Sequence, residues 1–337
     1  MNKNIIITGA AGQDGYYLSK QLIEKGYNVI GIDQWQTKGY NKELKELMRM
    51  DNFKLIEGDI TDKHFIKRII IEYMPKWFFN TAAISHVGVS FQIPERVTEV
   101  NYLAVINIIE NIRSYSPATG FLQCSTSEQF GDNKETPQNE LSAMMPNSPY
   151  AIAKASAYYF TRLYRKYGIK TYNTICFNHE SEIRPETFVT RKITKGIVDI
   201  MKGEQDKLVL GNIDTFRDWG YAPDYTEFMI KVMESEKPDD YVIVTGETHT
   251  VREFIEEVCD VADIEIEWKG EGVDEIGYLN GEPKIFISRE FYRPAEVEKL
   301  HGDYSKAKEK IGWEPKTKFK DLVRIMYEAD FNGSDSW

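Results

Sequence analysis

Short apolar runs alternate along the first half of the chain with longer stretches that repeat every three or four positions. Residues 5–7 are all isoleucine and end in a glycine-rich turn, and residues 17–24 repeat with helical spacing up to Gly26. A run of three could belong to a buried helix, but β-branching and the turn favour a buried parallel strand. Gly26 suits a helix C-terminus. The rhythm continues with strands expected over 28–32, 53–56, 77–80, 120–124 and 170–177, and helices over 63–73, 95–114 and 149–167. Strands alternating with helices of this length predict right-handed βαβ units and a parallel sheet covered on both faces.

After about residue 178 the segments become shorter and more mixed: 207–210, 241–244, 251–262 and 264–268. A chain of 337 residues is long enough for two lobes, each with a core. The net charge of −11 speaks against a general phosphate-backbone binder, so no nucleic-acid partner is expected and an anionic ligand needs a local pocket of Lys and Arg. Cys124, Cys176 and Cys259 are far apart with no C-x-x-C, which argues against a disulfide framework or a zinc site and for a reducing compartment. No apolar stretch approaches membrane-spanning length and no signal-peptide core is present. The expectation is a cytoplasmic protein without a membrane partner and without a metal.

Gly9, Gly12 and Gly15 stand in a G-x-x-G-x-x-G turn, with Gln13 and Asp14 between the last two, after a strand and before a helix. A helix N-terminus there presents N–H groups and a positive dipole end to a pyrophosphate. The alternative is an ordinary tight strand-to-helix turn. Asp33 ends the second strand, 18 residues after Gly15, where a carboxylate binds ribose hydroxyls and repels a 2′-phosphate. That favours NAD over NADP; the bland reading is a solvated strand-end carboxylate. Asp59 and Ile60 follow the third strand and either flank an adenine or make a turn before a helix cap. The expected architecture is α/β: a Rossmann-like doubly wound parallel sheet in a dinucleotide-binding domain over 1–177, to which about 211–245 returns. A smaller mixed α/β substrate-binding lobe is expected mainly over 178–330, with a tail over 331–337.

Tyr150 and Lys154 are four apart in an expected helix and so share a face. An ammonium near a phenol favours the phenolate, a usable base, and lysine can also hold a nicotinamide ribose. Y-x-x-x-K alone is weak; its force here comes from its place after the fifth strand. That strand ends in Ser125-Thr126-Ser127-Glu128. Hydroxyls beside a carboxylate at the carboxyl end of a parallel strand can orient a sugar and move a proton. Ser/Thr capping of the loop is the plain alternative. Without Glu128 a reductase or epimerase would be expected; with it, proton abstraction and dehydration become accessible.

From about residue 4 to residue 330 the chain resembles the GDP-mannose 4,6-dehydratase family of extended short-chain dehydrogenases/reductases. The resemblance rests on the segments from Thr8 to Gly15 and from Ala82 to Val87, on Ser125-Thr126-Ser127-Glu128 and on Ser148-Pro149-Tyr150. Further on it rests on Phe177-Asn178-His179-Glu180-Ser181, on the segment from Phe188 to Lys192, on Arg217-Asp218-Trp219-Gly220, on Thr245-Gly246-Glu247 and on the segment from Tyr292 to Val297. It implies a hydro-lyase in which Thr126, Glu128 and Tyr150 are catalytic and Lys154 supports Tyr150. It implies a tightly bound NAD(P), NADP being the family default, at Gly9, Gly12, Gln13, Asp14, Gly15, Asp59, Ile60, Ala82, Ala83, Ser85, His179 and Arg184. It implies a GDP-sugar held by Asn178, Lys192, Arg217, Arg293 and Glu296, with Ser85 and Ser127 beside it. Lys192, Arg217 and Arg293 are three cations suited to a diphosphate in an acidic protein.

Departures from the family pattern bear on details. Asp33-Gln34-Trp35-Gln36 stands where the family carries a basic cluster for the 2′-phosphate and a tetramer contact. Arg96 replaces an aromatic residue near the cofactor, Glu182 and Ile183 interrupt a usual Pro-Arg before Arg184, and the linker before Phe291 is short. The sugar could therefore be mannose or a manno-heptose. The expected product is a 4-keto-6-deoxy sugar formed by internal hydride transfer, the alternatives being a 4-dehydrogenase or epimerase on the same fold and a non-catalytic NAD-binding subunit. Apolar faces on the helices expected over 95–114 and 149–167 would suit a homodimer or homotetramer.

Overall fold

The protein is described by a computed structural model over residues 3–34, 41–292 and 300–333. The chain folds into two compact units. The first comprises Met1–Phe177, Ala222–Ile243 and Asp303–Glu314; the second Asn178–Tyr221, Val244–Gly302 and Pro315–Trp337.

The first unit starts with β1 (Asn4–Thr8), a central strand paired on both edges, whose three isoleucines are fully buried because helices cover the faces of the sheet. Then come α1 (Gln13–Glu24), β2 (Asn28–Asp33), α2 (Lys42–Leu47), β3 (Phe53–Glu57), α3 (Lys63–Tyr73) and β4 (Trp77–Asn80). Gly26 takes a left-handed φ of 79° and returns its N–H to Ile23, ending α1 at the expected glycine. Two short helices, α4 (Val87–Ser90) and α5 (Pro94–Thr98), lead through a π-helical turn over Glu99–Leu103 into α6 (Ala104–Tyr115). The helix expected over 95–114 is thus one run with a widened turn inside it. β5 (Gly120–Thr126), α7 (Pro149–Lys166) and β6 (Thr171–Cys176) follow.

The second unit opens with β7 (Asn178–Glu180), α8 (Val189–Met201), β8 (Leu208–Leu210), β9 (Phe216–Arg217) and β10 (Trp219–Tyr221). The chain returns to the first unit with α9 (Ala222–Glu234) and β11 (Asp240–Ile243). It goes back for β12 (His249–Thr250), α10 (Val251–Val261), β13 (Ile266–Lys269), β14 (Ile276–Leu279) and β15 (Glu282–Ile287). α11 (Ser305–Ile311) belongs again to the first unit and α12 (Phe319–Gly333) to the second.

The seven strands of the first unit run in the order β11-β6-β5-β4-β1-β2-β3 and every neighbouring pair is parallel. From β1 the chain winds outward to β3, then crosses back to β4 on the other side. The crevice of such a sheet opens at the carboxyl ends of β1 and β4, where the winding reverses. One face is filled by Ile66, Ile69, Ile108, Ile112, Phe78 and Phe121 from α3, α6 and the strands. α1 and α9 pack together, with the Gln21 amide donating to the Pro223 carbonyl at 3.0 Å.

The second unit holds a four-stranded sheet, β13-β14-β15-β8, antiparallel except for the parallel β15–β8 pair. Ile193, Ile197, Leu208, Phe254, Leu322 and Met326 build its core from α8, α10, α12 and the sheet. Two small ladders complete it: parallel β7–β10 and antiparallel β9–β12. Among the described residues no helix is long and apolar enough to cross a membrane, and no His/Cys/Asp/Glu group could hold a metal ion.

Candidate active site

The glycine turn sits at the winding reversal. Gly9 has φ +71°, and a Cβ there would stand 2.9 Å from the Ala82 backbone; one at Gly15 would stand 2.2 Å from the Gly9 carbonyl oxygen. Both glycines are therefore required by the turn packing on itself and on the loop after β4. Gly12 differs: a Cβ there would meet only the Gly9 oxygen, at 3.2 Å. It is the N-cap of α1 and provides no side-chain cap. Backbone N–H groups without a side chain in front of them make a cradle that a pyrophosphate fits. Asp33, at the end of β2, accepts the Ala11 N–H at 2.7 Å and the Gln34 N–H at 2.8 Å. Burial raises its pKa against the lowering effect of those two bonds. Two accepted bonds leave lone pairs for sugar hydroxyls.

Asp59 makes the turn that was one of its two readings. Its carboxylate takes the Thr61 N–H and hydroxyl, both at 2.8 Å, while Asp62 caps α3. Arg96 reaches across from α5 to the second Asp59 oxygen at 2.8 Å and pairs with Glu99 at 2.6 Å. Burial would raise the Asp59 pKa; the Thr61 bonds and Arg96 outweigh it and hold it below the usual value. Ile60 is buried in the core beside it. Ala82, Ala83 and Ser85 lie in the loop after β4. The buried Asn101 amide pins that loop, accepting from Ile84 N–H at 2.9 Å and donating to Ile84 O at 3.0 Å. Asn101 lies in the π-helical turn, a distortion that often marks functional sites.

At the carboxyl end of β5 the chain enters a 3-10 turn, Ser127–Phe130, capped by the Thr126 hydroxyl, which accepts the Glu128 N–H at 3.3 Å. Capping and catalysis were rival readings for Thr126; the cap is present, and it holds Glu128 in place. Glu128 is only 9% exposed. Ser125 donates to Gln129 at 2.7 Å, fastening the turn to the strand from behind.

α7 begins with Ser148 accepting the Ala151 N–H at 3.1 Å and with Pro149 in its first turn, a strong start signal. This start sets Tyr150 in the first turn and Lys154 one turn on, both buried. The Lys154 ammonium donates to the Cys124 carbonyl at 2.8 Å and lies 5.9 Å from the Tyr150 ring centre. Burial lowers its pKa, opposed by the nearby thiols of Cys124 and Cys176 and by the Asp14 carboxylate. Cys124 and Cys176 are free thiols with sulfurs 3.8 Å apart on adjacent strands.

The pattern of residue types did not reveal what stands behind Lys154. Thr8 donates to Asn80 at 2.6 Å, Asn80 donates to Gln123 at 2.8 Å, and Gln123 donates at 2.9 Å to the same Cys124 carbonyl that receives Lys154. Thr8, Asn80 and Gln123 are essentially unexposed. This chain of bonds crosses the ends of β1, β4 and β5. The only hint in the sequence is polar amides inside otherwise apolar strands.

The remaining candidates lie in the second unit. Asn178 and His179 are in β7, Arg184 in the following loop, Lys192 in α8 and Arg217 in β9. Arg184 pairs with the buried Glu180 at 3.1 Å and its guanidinium lies 3.7 Å over the Phe188 ring. Glu180 also receives the Thr190 hydroxyl at 2.6 Å. Lys192 lies 3.9 Å over the Phe291 ring, and burial lowers its pKa. Among the described residues no carboxylate pairs with it. Arg217 is buried and donates to the Phe216 carbonyl at 2.8 Å. Arg293 and Glu296 lie outside the described residues, as do Trp35 and Gln36.

Comparison with known proteins agrees with this arrangement. Residues 6–326 match the family model described as GDP-mannose 4,6 dehydratase. The GDP-mannose 4,6-dehydratase of Yersinia enterocolitica is 41% identical over 349 residues, covering 97% of this chain and 94% of that protein. The Drosophila melanogaster enzyme of the same name is 42% identical, covering 98% of this chain and 86% of its own. In fold, the crystal structure of dTDP-glucose 4,6-dehydratase from Bacillus anthracis in complex with NAD superposes with a TM-score of 0.81, at 21% identity, over 99% of this chain and 98% of that one. A parallel sheet with a bare glycine turn at its winding reversal, a buried Thr126/Glu128 strand end and identity of this extent lead to one conclusion: the chain belongs to the GDP-mannose 4,6-dehydratase family.

Proposed function

We propose that the protein converts GDP-mannose, or a GDP-linked manno-heptose, to its 4-keto-6-deoxy derivative. The observation that carries the reading is Glu128: a buried carboxylate, held by a capping threonine, at the carboxyl end of the strand that also anchors Lys154. A reductase or epimerase has no need of a second proton acceptor there.

A nicotinamide dinucleotide at the glycine turn supplies the hydride acceptor and donor. Gly9, Gly12, Gln13, Asp14 and Gly15 would hold its pyrophosphate, Asp33 its adenosine ribose, Asp59 and Ile60 its adenine, and Ala82, Ala83, Ser85, His179 and Arg184 further parts. The free lone pairs on Asp33 support NAD. Tyr150, as phenolate, takes the proton of the 4-hydroxyl while carbon 4 becomes a ketone. Lys154 keeps positive charge beside that phenol. The ketone acidifies the hydrogen on carbon 5, which Glu128 removes. The 6-hydroxyl leaves as water, its protonation assisted by Thr126, Ser127 or Glu128, and return of the hydride to carbon 6 with a proton to carbon 5 would complete the 4-keto-6-deoxy sugar. Each such proton transfer is typically worth ~10²–10⁴-fold.

For the nucleotide sugar, Asn178, Lys192, Arg217, Arg293 and Glu296 are the proposed ligands. Lys192 supports this most directly: a half-buried ammonium against an aromatic face, with no carboxylate partner among the described residues, is suited to an incoming diphosphate. Leu103, Ile152, Tyr159 and Leu163 leave apolar surface exposed on the α5–α6 run and α7, which suits packing of a second copy into a dimer or tetramer. We place the protein in the cytoplasm, in keeping with its three free cysteines. The deciding assay is product mass after incubation with GDP-mannose and, separately, a GDP-manno-heptose. Loss of one water from either is expected; unchanged mass, or loss of two hydrogens only, would replace dehydration by epimerisation or oxidation.

A further inference from the structure

We propose that Asp218 is a positioning residue for nucleotide recognition, its carboxylate tying the 245–247 turn to β9 so that Arg217 is held in place for the diphosphate. The proposal rests on the reading of Arg217 given above.

Asp218 is completely buried between β9 and β10. One carboxylate oxygen accepts the Thr245 N–H at 2.9 Å and the Thr245 hydroxyl at 2.7 Å; the other accepts the Gly246 N–H at 2.8 Å. Gly246 has a left-handed φ of 80°, and the Glu247 N–H returns to the Thr245 hydroxyl at 3.1 Å. The turn is thus wrapped around the carboxylate. It leads directly into β12, which pairs antiparallel with β9 and sets His249 opposite Arg217. Arg217 is fixed twice by one group: through the chain, because Asp218 is its neighbour, and across the ladder, because Asp218 orients the strand facing it. Trp219, buried and packed edge-on against Phe254, anchors the other side of Asp218 in the core.

A structural tie could be made by neutral groups. Here a carboxylate is buried against three donors, none of them a cation, which is costly. Burial pushes its pKa up to about 7, against the lowering effect of the bonds from Thr245 and Gly246. The sign follows. Above that pH the ionised carboxylate accepts all three bonds. Below it the protonated group has a donor where an N–H must be received, and the turn loosens. Nucleotide affinity should fall as the pH drops through about 7. The charged groups around it are Glu247 on the turn, paired with Lys318 at 3.2 Å, and His301, in contact with the Gly246 carbonyl at 3.2 Å. Arg217 on β9 and His249 on β12, the latter 3.2 Å from Glu253 of α10, complete the set.

The test is calorimetric binding of GDP from about pH 6 to about pH 8.5, spanning the range in which such a group changes charge. The proteins compared are the wild type, Asp218→Asn, Thr245→Val and Arg217→Ala. GDP's own ionisation is common to all and cancels in the ratios. At the alkaline end Asp218→Asn should bind about tenfold more weakly, the scale of lost bonds to an ionised group, and the two curves should converge at the acid end. Thr245→Val should weaken binding while keeping the pH slope, and His301→Gln and His249→Gln should leave that slope in place. In turnover, Asp218→Asn should raise KM for GDP-mannose and leave kcat within about twofold, since only ground-state binding is touched. Parallel pH curves, or equal affinities at the alkaline end while Arg217→Ala is impaired, overturn the positioning role alone. Unimpaired binding by Arg217→Ala overturns the Arg217 reading and the positioning role with it. If Asp218→Asn fails to fold, a flat wild-type profile or an unaffected Thr245→Val is sufficient to overturn it.

Discussion

Replacing Asn80 with leucine probes the hydrogen-bonded chain behind Lys154. Asn80 is 1% exposed, accepts from Thr8 at 2.6 Å and donates to Gln123 at 2.8 Å. Leucine is of similar size but has no polar atom. Thr8 Oγ1 and Gln123 Oε1 then lose these partners where water does not reach. A buried polar group left unmade costs ~1–3 kcal/mol, so the two together cost about 2–6 kcal/mol. Turning over the Gln123 amide brings no rescue, because its oxygen would then face the Cys124 carbonyl now 2.9 Å from its nitrogen. Adding Thr8→Val removes the hydroxyl left without an acceptor, at the expense of the long 3.4 Å bond it accepts from the Ala82 N–H, and should restore at most ~1–3 kcal/mol, a coupling that a double-mutant cycle reads directly. The assay is amide hydrogen exchange by mass spectrometry on peptides covering β1, β4 and β5. It reports the opening free energy of this sheet whichever unit opens first. A loss under about 1 kcal/mol for Asn80→Leu, or simple additivity with Thr8→Val, would refute the argument.

Other expectations can be checked independently. Glu128→Gln keeps the Thr126 cap, which uses the backbone N–H, and should slow dehydration ~10²–10⁴-fold, with exchange of the carbon-5 hydrogen in heavy water suppressed to the same degree. Tyr150→Phe should stop earlier, with no transient absorbance from reduced cofactor. Gly15→Ala drives a Cβ to 2.2 Å from the Gly9 oxygen, so the purified protein should hold its dinucleotide about tenfold more weakly in equilibrium dialysis. Extraction of the cofactor should yield NAD; recovery of NADP alone would overturn the role given to Asp33. Buried Asp240 is paired with Arg165 at 2.7 Å and receives Asn173 at 2.8 Å; burial would raise its pKa, yet the partners hold it below the ordinary 3.8. Its stabilisation is therefore present above the unfolded-state value and lost as the pH falls through the lower folded one. Asp240→Asn should lower the thermal midpoint at neutral pH and flatten its acid dependence.

What was legible in the sequence was local. Residues 5–7, the glycine turn and the Ser148-Pro149 start of α7 each announce themselves through period, turn chemistry or capping, and the parallel sheet follows from their alternation. The fold class read this way is the one observed. What was hidden depends on register and on long-range packing. The Cys124–Cys176 approach exists because β5 and β6 pair Cys124 with Thr174 and Thr126 with Cys176, a relation no spacing reveals. Asn80, Gln123 and Asn101 look like polar interruptions until their partners, up to 72 positions away, are known. The return of 303–314 was not foreseen. α11 is seven residues long; the burial of Trp313, with its indole N–H 3.2 Å from the Asp224 carbonyl, and the Lys306 ammonium, donating to the Asp240 carbonyl at 2.8 Å, show where it belongs.

The first unit is assembled from three stretches of chain separated by parts of the second. A ribosome that has released residues up to 177 has delivered Thr126, Glu128, Tyr150 and Lys154, but not β11, the strand that covers β6. Every residue of β6 is buried in the finished protein. In the nascent chain it ends the sheet as a bare edge, open to pairing with any other extended segment. At ~5–20 residues per second that exposure lasts roughly 3–13 s while the interval up to residue 243 is made. Truncation after the first stretch should make this exposure permanent and yield insoluble material, although the fragment contains the whole chemical apparatus of its unit.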